Sequence, residues 1–190
     1  SNISVRQYER DQNQLKKQRA DDNQIKIDQL IKDIKKIDSN FNYSNKNNES
    51  LISQIKELRK NLDIKKQNLN QENTLQNIII EEINNIMFVY LVAEDYPPKL
   101  LKQFVDDQKN KFKKKCVALI ISKNNNKLSI VLGATDDLIK SFDSSKIIQE
   151  ISLMLGGKGG GGRKDLAQAG GTDLSNLDQA INKVRENLNL

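Results

Sequence analysis

The chain has 190 residues, of which 36% are hydrophobic, and a formal net charge of +6. It contains no histidine, which removes the usual general base and the commonest metal ligand, and its single cysteine excludes an internal disulfide framework. No apolar run is long enough to cross a membrane, and no group of residues has the spacing of a catalytic or metal centre. The composition therefore favours long solvated helices beside a smaller globular domain, without a cofactor and without an activity of its own.

The first 82 residues are predicted to form two long helices. Apolar residues recur every three or four positions over residues 4–38 and again over 50–77, and the polar segment 39–48 between them has the composition of a loop. Consecutive helices joined by a short loop pack antiparallel by default. We therefore expect an antiparallel coiled-coil hairpin that serves as a spacer or as an oligomer contact.

The remaining residues, 83–190, alternate between strand and helix patterns and are predicted to form a compact α/β domain. The expected strands cover residues 86–92, 116–122, 127–133 and 165–169, and the expected helices cover 98–112, 144–155 and a segment from about 175 onward. This order implies a roughly four-stranded sheet with helices packed on it, and the whole chain is expected to be α+β.

The most informative segment is glycine-rich and spans residues 156–171. Eight of the nine glycines lie there, and the ninth is Gly133. A run without side chains presents consecutive backbone N–H groups, which bind anions and phosphate above all. It is not a Walker loop, because Gly159 follows Lys158 where that motif needs Ser or Thr. A flexible linker is the alternative, and the patterned residues 165–171 that follow count against it.

The segment supplies the candidate nucleic-acid-binding residues. Basic side chains within it are expected to hold phosphates, and Gln168 is placed either to reach a base edge or 2′-OH or to tie the loop to the sheet. The candidates are Gly157, Lys158, Gly159, Gly160, Gly161, Gly162, Arg163, Lys164, Gln168, Gly170 and Gly171. A second group, Lys111, Lys113, Lys114 and Lys115, forms either an auxiliary basic patch or a solvated helix end.

These residues also carry a resemblance to a known family. The run Gly156-Gly157-Lys158-Gly159-Gly160-Gly161, followed by Arg163 and by Asp165-Leu166-Ala167-Gln168-Ala169-Gly170-Gly171-Thr172-Asp173, resembles the signature of the C-Ala domain. That domain ends alanyl-tRNA synthetases and is similar to the DHH-associated domain of single-strand nucleases and phosphoesterases. The likeness covers about residues 83–190. The family usually has proline where this chain has Lys164, one glycine before Arg163 is extra, and the family's Asn-Gly turn is Asn84-Asn85.

The resemblance implies a non-catalytic tRNA-binding region that holds the elbow of alanine-accepting tRNA for aminoacylation and editing by domains upstream. Two other functions stay open: a dimerisation module of the same enzyme, and the nucleic-acid-binding domain of a DHH-type phosphoesterase. The expected partners are tRNA and a second copy of the chain, with no membrane. The expected location is the cytoplasm, with an organellar translation compartment as the alternative.

Overall fold

The computed structural model describes residues 2–46 and 49–189, so the last two residues of the expected loop lie outside the described part. The chain divides into two compact units, one ending at Glu72 and the other beginning at Asn73. Helices form the first unit and a sheet with helices forms the second, as the sequence predicts.

The first unit contains α1 (Asn2–Ile37) and most of α2 (Leu51–Leu75). Its apolar faces meet in a small core of fully or nearly fully buried side chains. The buried residues of this core are Ile27, Ile34, Ile55, Leu58 and Leu62.

The two helices run in the same direction, which corrects the antiparallel arrangement expected from the sequence. At the end of α1, Asp38 accepts a hydrogen bond from Lys65, well inside α2, at 2.6 Å. The connecting segment then returns along α2, where Tyr43 bonds Gln54 and Lys46 lies 3.1 Å from Glu57. The return covers about 20 Å, since a helix rises 1.5 Å per residue, and residues 38–50 are long enough to span it.

The second unit is built on a mixed six-stranded sheet in the order β1-β2-β3-β4-β6-β5. Its strands are β1 (Ile79–Ile83), β2 (Ile86–Glu94), β3 (Cys116–Asn124), β4 (Lys127–Ala134), β5 (Gly160–Gly162) and β6 (Leu166–Gly171). Only β2 and β3 pair in parallel, and every other neighbouring pair is antiparallel. The two strands beyond the expected four are the edge strands β1 and β5, and β1 crosses the boundary expected between residues 82 and 83.

Helices cover both faces of the sheet. On one face α4 (Ser144–Met154) and α5 (Leu177–Glu186) pack over the larger core, which includes Phe88, Leu119 and Ile148. On the other face α3 (Leu101–Phe112), preceded by a short 3-10 helix at Pro98–Leu100, packs on β3 and β4. Because α3 packs on those central strands, the flank made by β6 and β5 stays open on its side.

Candidate nucleic-acid interface

The glycine-rich segment forms the open edge of the sheet. After α4, Gly156 takes a left-handed φ of +74°, which ends the helix as expected and turns the chain toward β5. Gly161, in the middle of β5, then pairs with Gln168 on β6. The segment is therefore an ordered edge strand and not a flexible linker.

A buried serine holds the segment to α4. The Ser152 hydroxyl donates to the Gly170 carbonyl at 2.7 Å and accepts from the Gly159 N–H at 3.1 Å. The backbone approaches so closely here that a Cβ on Gly157 would lie 2.1 Å from the Gly170 oxygen. Much of the glycine content is thus explained by the contact between α4, β5 and β6.

An open groove of about 650 Å³ lies between the start of α3 and the strands β4, β6 and β5. Its walls combine two lysines, two uncharged polar side chains, bare glycine backbone and a few apolar groups. The lining residues are Pro98, Lys99, Leu101, Lys102, Ser129, Ile130, Val131, Gly159, Gly160, Gln168 and Ala169. Such a surface offers cations, amide and hydroxyl donors, and backbone N–H groups to one ligand.

The two groove lysines were not among the residues selected from the sequence. Lys99 lies in the short 3-10 helix and Lys102 at the start of α3, and both line the groove. Neither is engaged in an ion pair within the described residues. The available signal was the presence of two lysines, Lys99 and Lys102, within the first residues after Pro97-Pro98, at a helix start where the dipole disfavours cations.

The structure brings only part of the predicted set into the groove. Gly159, Gly160 and Gln168 line it, and Gly161 pairs with Gln168 on β6. Gly157, Gly162 and Gly171 lie in close backbone contacts with neighbouring residues, and Gly170 pairs with Ser129 on β4. Lys158 is exposed beside β5.

Arg163 and Lys164 lie at the turn between β5 and β6, and their side chains contact regions outside the groove. Arg163 donates from Nε and Nη2 to the two oxygens of Asp165, at 2.9 and 3.1 Å. These hydrogen bonds lower the pKa of the Asp165 carboxyl, and Lys109 stands 3.9 Å from the same group. Lys164 lines a separate depression together with Lys140 and Lys146. None of the three basic residues predicted to hold phosphates, Lys158, Arg163 and Lys164, lines the groove.

Acidic residues surround part of the auxiliary lysine group, Lys111, Lys113, Lys114 and Lys115. Lys113 and Lys114 line a depression of about 950 Å³ together with four aspartates, Asp106, Asp136, Asp137 and Asp165. The Lys115 N–H donates to Asp137 at 2.9 Å, and the Lys111 ammonium lies 5.6 Å from the centre of the Phe112 ring. This end of α3 therefore mixes both signs of charge.

The described residues contain no group of three or more Cys, Asp or Glu side chains placed to hold a metal ion. Burial raises the pKa of the Cys116 thiol to about 12, which leaves it protonated and unreactive at neutral pH. No helix in the described part of the chain is long and apolar enough to span a membrane.

The sheet order, the glycine edge strand and the groove define an α+β domain with one open, basic flank. Residues 84–190 match the DHHA1 domain, and because the match covers more than half of the chain, the protein belongs to the DHHA1 domain family.

Similar proteins include alanine–tRNA ligases. The chain is 38% identical over 105 residues to the alanine–tRNA ligase of Chelativorans sp. (strain BNC1), covering 55% of this chain and 12% of the relative. It is 37% identical over 107 residues to that of Granulibacter bethesdensis, covering 56% of this chain and again 12% of the relative. The chain thus spans about one eighth of the length of these enzymes.

Among solved structures, the sheet unit is similar to the C-Ala domain of Aquifex aeolicus alanyl-tRNA synthetase. The TM-score is 0.55 at 29% sequence identity, and the match covers 59% of this chain and 99% of that domain. The C-Ala fold expected from the glycine-rich signature is thereby confirmed.

Proposed function

We propose that this chain is the tRNA-binding C-terminal region of an alanine–tRNA ligase and that RNA binds in the groove between α3 and the β5–β6 edge. The observation that carries the proposal is the groove itself. It sets the unpaired cations Lys99 and Lys102 opposite bare backbone and the Gln168 amide. Phosphate contacts supply most of the affinity for nucleic acid, and amide groups add contacts to base edges or 2′-hydroxyls.

The proposed RNA feature is the elbow of alanine-accepting tRNA. A folded RNA corner displays phosphates, 2′-hydroxyls and unstacked bases, whereas the deep groove of an A-form helix is closed to side chains. An open groove of about 650 Å³ on a sheet flank accepts a protruding corner better than a continuous helix. The identity with alanine–tRNA ligases over the same residues supports tRNA as the partner.

In the parent enzyme this region holds tRNA while other domains alanylate it and hydrolyse mischarged product, in the cytoplasm or an organelle that translates. The region itself contributes binding and no catalytic group. This role is consistent with a groove that contains cations and amides but no acid–base pair.

The test compares binding of alanine-accepting tRNA with binding of its acceptor-stem minihelix across a salt series. We expect the chain to bind the full tRNA, with affinity that falls steeply as salt rises, and to bind the minihelix at least ten-fold more weakly. Lys99→Ala and Lys102→Ala should each lower tRNA affinity about three- to ten-fold and reduce the salt slope by about one contact.

Lys123→Ala is the matched control, since Lys123 is an exposed lysine that pairs with Leu128 and therefore lies on the sheet face opposite the groove. It should leave both the affinity and the slope near wild type. Equal binding to tRNA and minihelix would reduce the interaction to general electrostatic attraction. Absence of binding to both would reject the proposal and favour dimerisation, which a concentration series of molecular mass would then reveal.

A further inference from the structure

Five of the eight glycines in residues 156–171 fall into two groups, according to whether the fold has room for a Cβ atom at each position. In the first group a Cβ would collide with backbone. It would lie 2.1 Å from the Gly170 oxygen at Gly157, 2.4 Å from the Gln168 oxygen at Gly160, and 2.5 Å from the Leu166 oxygen at Gly162. The fold itself requires glycine at these three positions.

Gly161 and Gly170 form the second group, because nothing in the protein requires them to be glycine. A Cβ on Gly161 would meet no atom within 4 Å, and one on Gly170 would make an ordinary contact of 3.6 Å with the Leu128 oxygen. Neither residue has a left-handed φ. Glycine inside a strand weakens it, and an otherwise unexplained strand glycine often marks a close approach by a ligand or another backbone.

Both glycines lie on the sheet face that carries the groove, next to residues that line it, although neither lines the groove itself. Gly161 on β5 is the cross-strand partner of Gln168 on β6, so these two residues share a sheet face. Gly170 lies on β6 two residues after Gln168 and therefore shares that face as well. Gly170 in turn pairs with Ser129, which lines the groove as Gln168 does. The two missing side chains therefore keep the groove side of the sheet flat.

The free edge of β5 adds hydrogen-bond donors beside this flat surface. Arg163 and Leu166 exchange both backbone hydrogen bonds, at 2.9 and 3.3 Å, which fixes the alternation along the antiparallel pair. By that alternation the N–H groups of Gly162 and Gly160 point away from β6. Within the described residues, these two N–H groups donate no hydrogen bond to any other part of the chain.

We propose that the sugar–phosphate backbone of the bound RNA lies in van der Waals contact with the sheet at Gly161 and Gly170, with phosphate oxygens accepting from the edge N–H groups of β5. The inference rests on the proposed function and assigns these two glycines a role in RNA contact rather than in folding. A methyl group at either position fills the space that the RNA backbone takes up, while the protein has room for it.

The experiment measures thermal unfolding and tRNA affinity of the full chain for Gly161→Ala, Gly161→Val and Gly170→Ala. We expect midpoints equal to or above wild type, since alanine and valine suit a strand better than glycine. We expect affinity for alanine-accepting tRNA to fall at least ten-fold in each alanine variant and further in Gly161→Val. Gly157→Ala is the contrast, and its midpoint should drop.

Lys102→Ala separates this inference from the proposed function. If Lys102→Ala weakens tRNA binding while both alanine variants bind like wild type, the glycine contact is wrong and the groove remains the binding site. If Gly161→Ala or Gly170→Ala lowers the unfolding midpoint, the fold does need that glycine and the inference is overturned for it. If wild type itself does not bind tRNA, the proposed function fails first.

Discussion

At the scale of single residues, the partner of a charged side chain decides what that side chain is free to bind. Arg163 was selected from the sequence as a phosphate ligand, yet two of its nitrogens are already engaged by Asp165. Lys99 and Lys102 were not selected from the sequence, yet they line the groove and form no ion pair within the described residues. Sequence spacing identifies residue types, whereas the pairing of Arg163 depends on the turn that returns the chain to Asp165.

A partly exposed ion pair between the first strand and the last helix of the sheet unit predicts a pH dependence of stability. Arg185 on α5 donates to both oxygens of Glu81 on β1, at 2.8 and 2.7 Å, and these hydrogen bonds lower the pKa of the Glu81 carboxyl below its ordinary 4.5. A lowered folded-state pKa stabilises the protein above the unfolded value, and that stabilisation is lost as pH falls through the folded pKa.

Arg185→Gln should therefore lower the free energy of unfolding at pH 7 by roughly 0.5–1 kcal/mol, because both side chains keep about a third of their exposure. The difference between wild type and variant should shrink as pH falls below the ordinary Glu pKa of 4.5 and through the lowered pKa of Glu81 in the folded protein. Denaturant unfolding at pH 7, 5, 4 and 3 measures it, and other carboxyls cancel in the comparison. A difference that stays constant over this range would show that the charge pair contributes nothing.

At the scale of elements, the local sequence pattern predicts the two helices of the first unit but not the direction of the second helix relative to the first. Apolar periodicity predicts both helices, and their bounds, Asn2–Ile37 and Leu51–Leu75, lie close to those expected. Direction depends on where the connecting segment runs. Phe41 and Tyr43 pack against the helical core, which holds that segment along α2 instead of letting it close a short turn.

Zero-length carbodiimide cross-linking tests this arrangement directly. The reagent couples carboxylates to amines that are already in contact, so we expect linked peptides joining Asp38 to Lys65 and Glu57 to Lys46. Lys65→Arg keeps the charge but lacks the amine, and should remove only the first product. An antiparallel hairpin would instead couple Asp38 to a lysine near the start of α2, such as Lys56, and mass spectrometry distinguishes the two products.

In the sheet, the central strands can be predicted from the sequence, whereas the edge strand β5 cannot. The apolar runs of β2, β3 and β4 predict strands because these residues are buried, and the structure has all three. The edge strand β5 consists of three glycines and carries no side-chain pattern to read. Its pairing follows from the Gly157 and Ser152 contacts with Gly170, which are tertiary and therefore invisible in a local window.

At the scale of the whole molecule, each unit has its own core and the groove belongs to one of them. Every residue that lines the groove lies between Pro98 and Ala169, inside the unit that begins at Asn73. The C-Ala domain of Aquifex aeolicus alanyl-tRNA synthetase matches this part of the chain over 99% of its own length. The proposed RNA contact should therefore depend on the sheet unit and not on the packing of the helices.

Leu58→Ala puts that separation to the test. Leu58 is fully buried among Ile27, Ile34, Ile55 and Leu62, so truncation should destabilise the helical unit by about 2–5 kcal/mol. Hydrogen exchange should rise along α1 and the first turns of α2 while β2–β4 keep their protection. Affinity for alanine-accepting tRNA should stay within two-fold of wild type.

Ile120→Ala is the counterpart in the sheet, since Ile120 is equally buried beneath α3. It should reduce protection of the strands and weaken RNA binding, because α3 carries Lys102 and the groove wall packs on the same core. If Leu58→Ala instead weakened tRNA binding as strongly as Ile120→Ala does, the helical unit would itself contribute to the RNA contact. The groove would then be one part of a larger binding surface rather than a self-contained site.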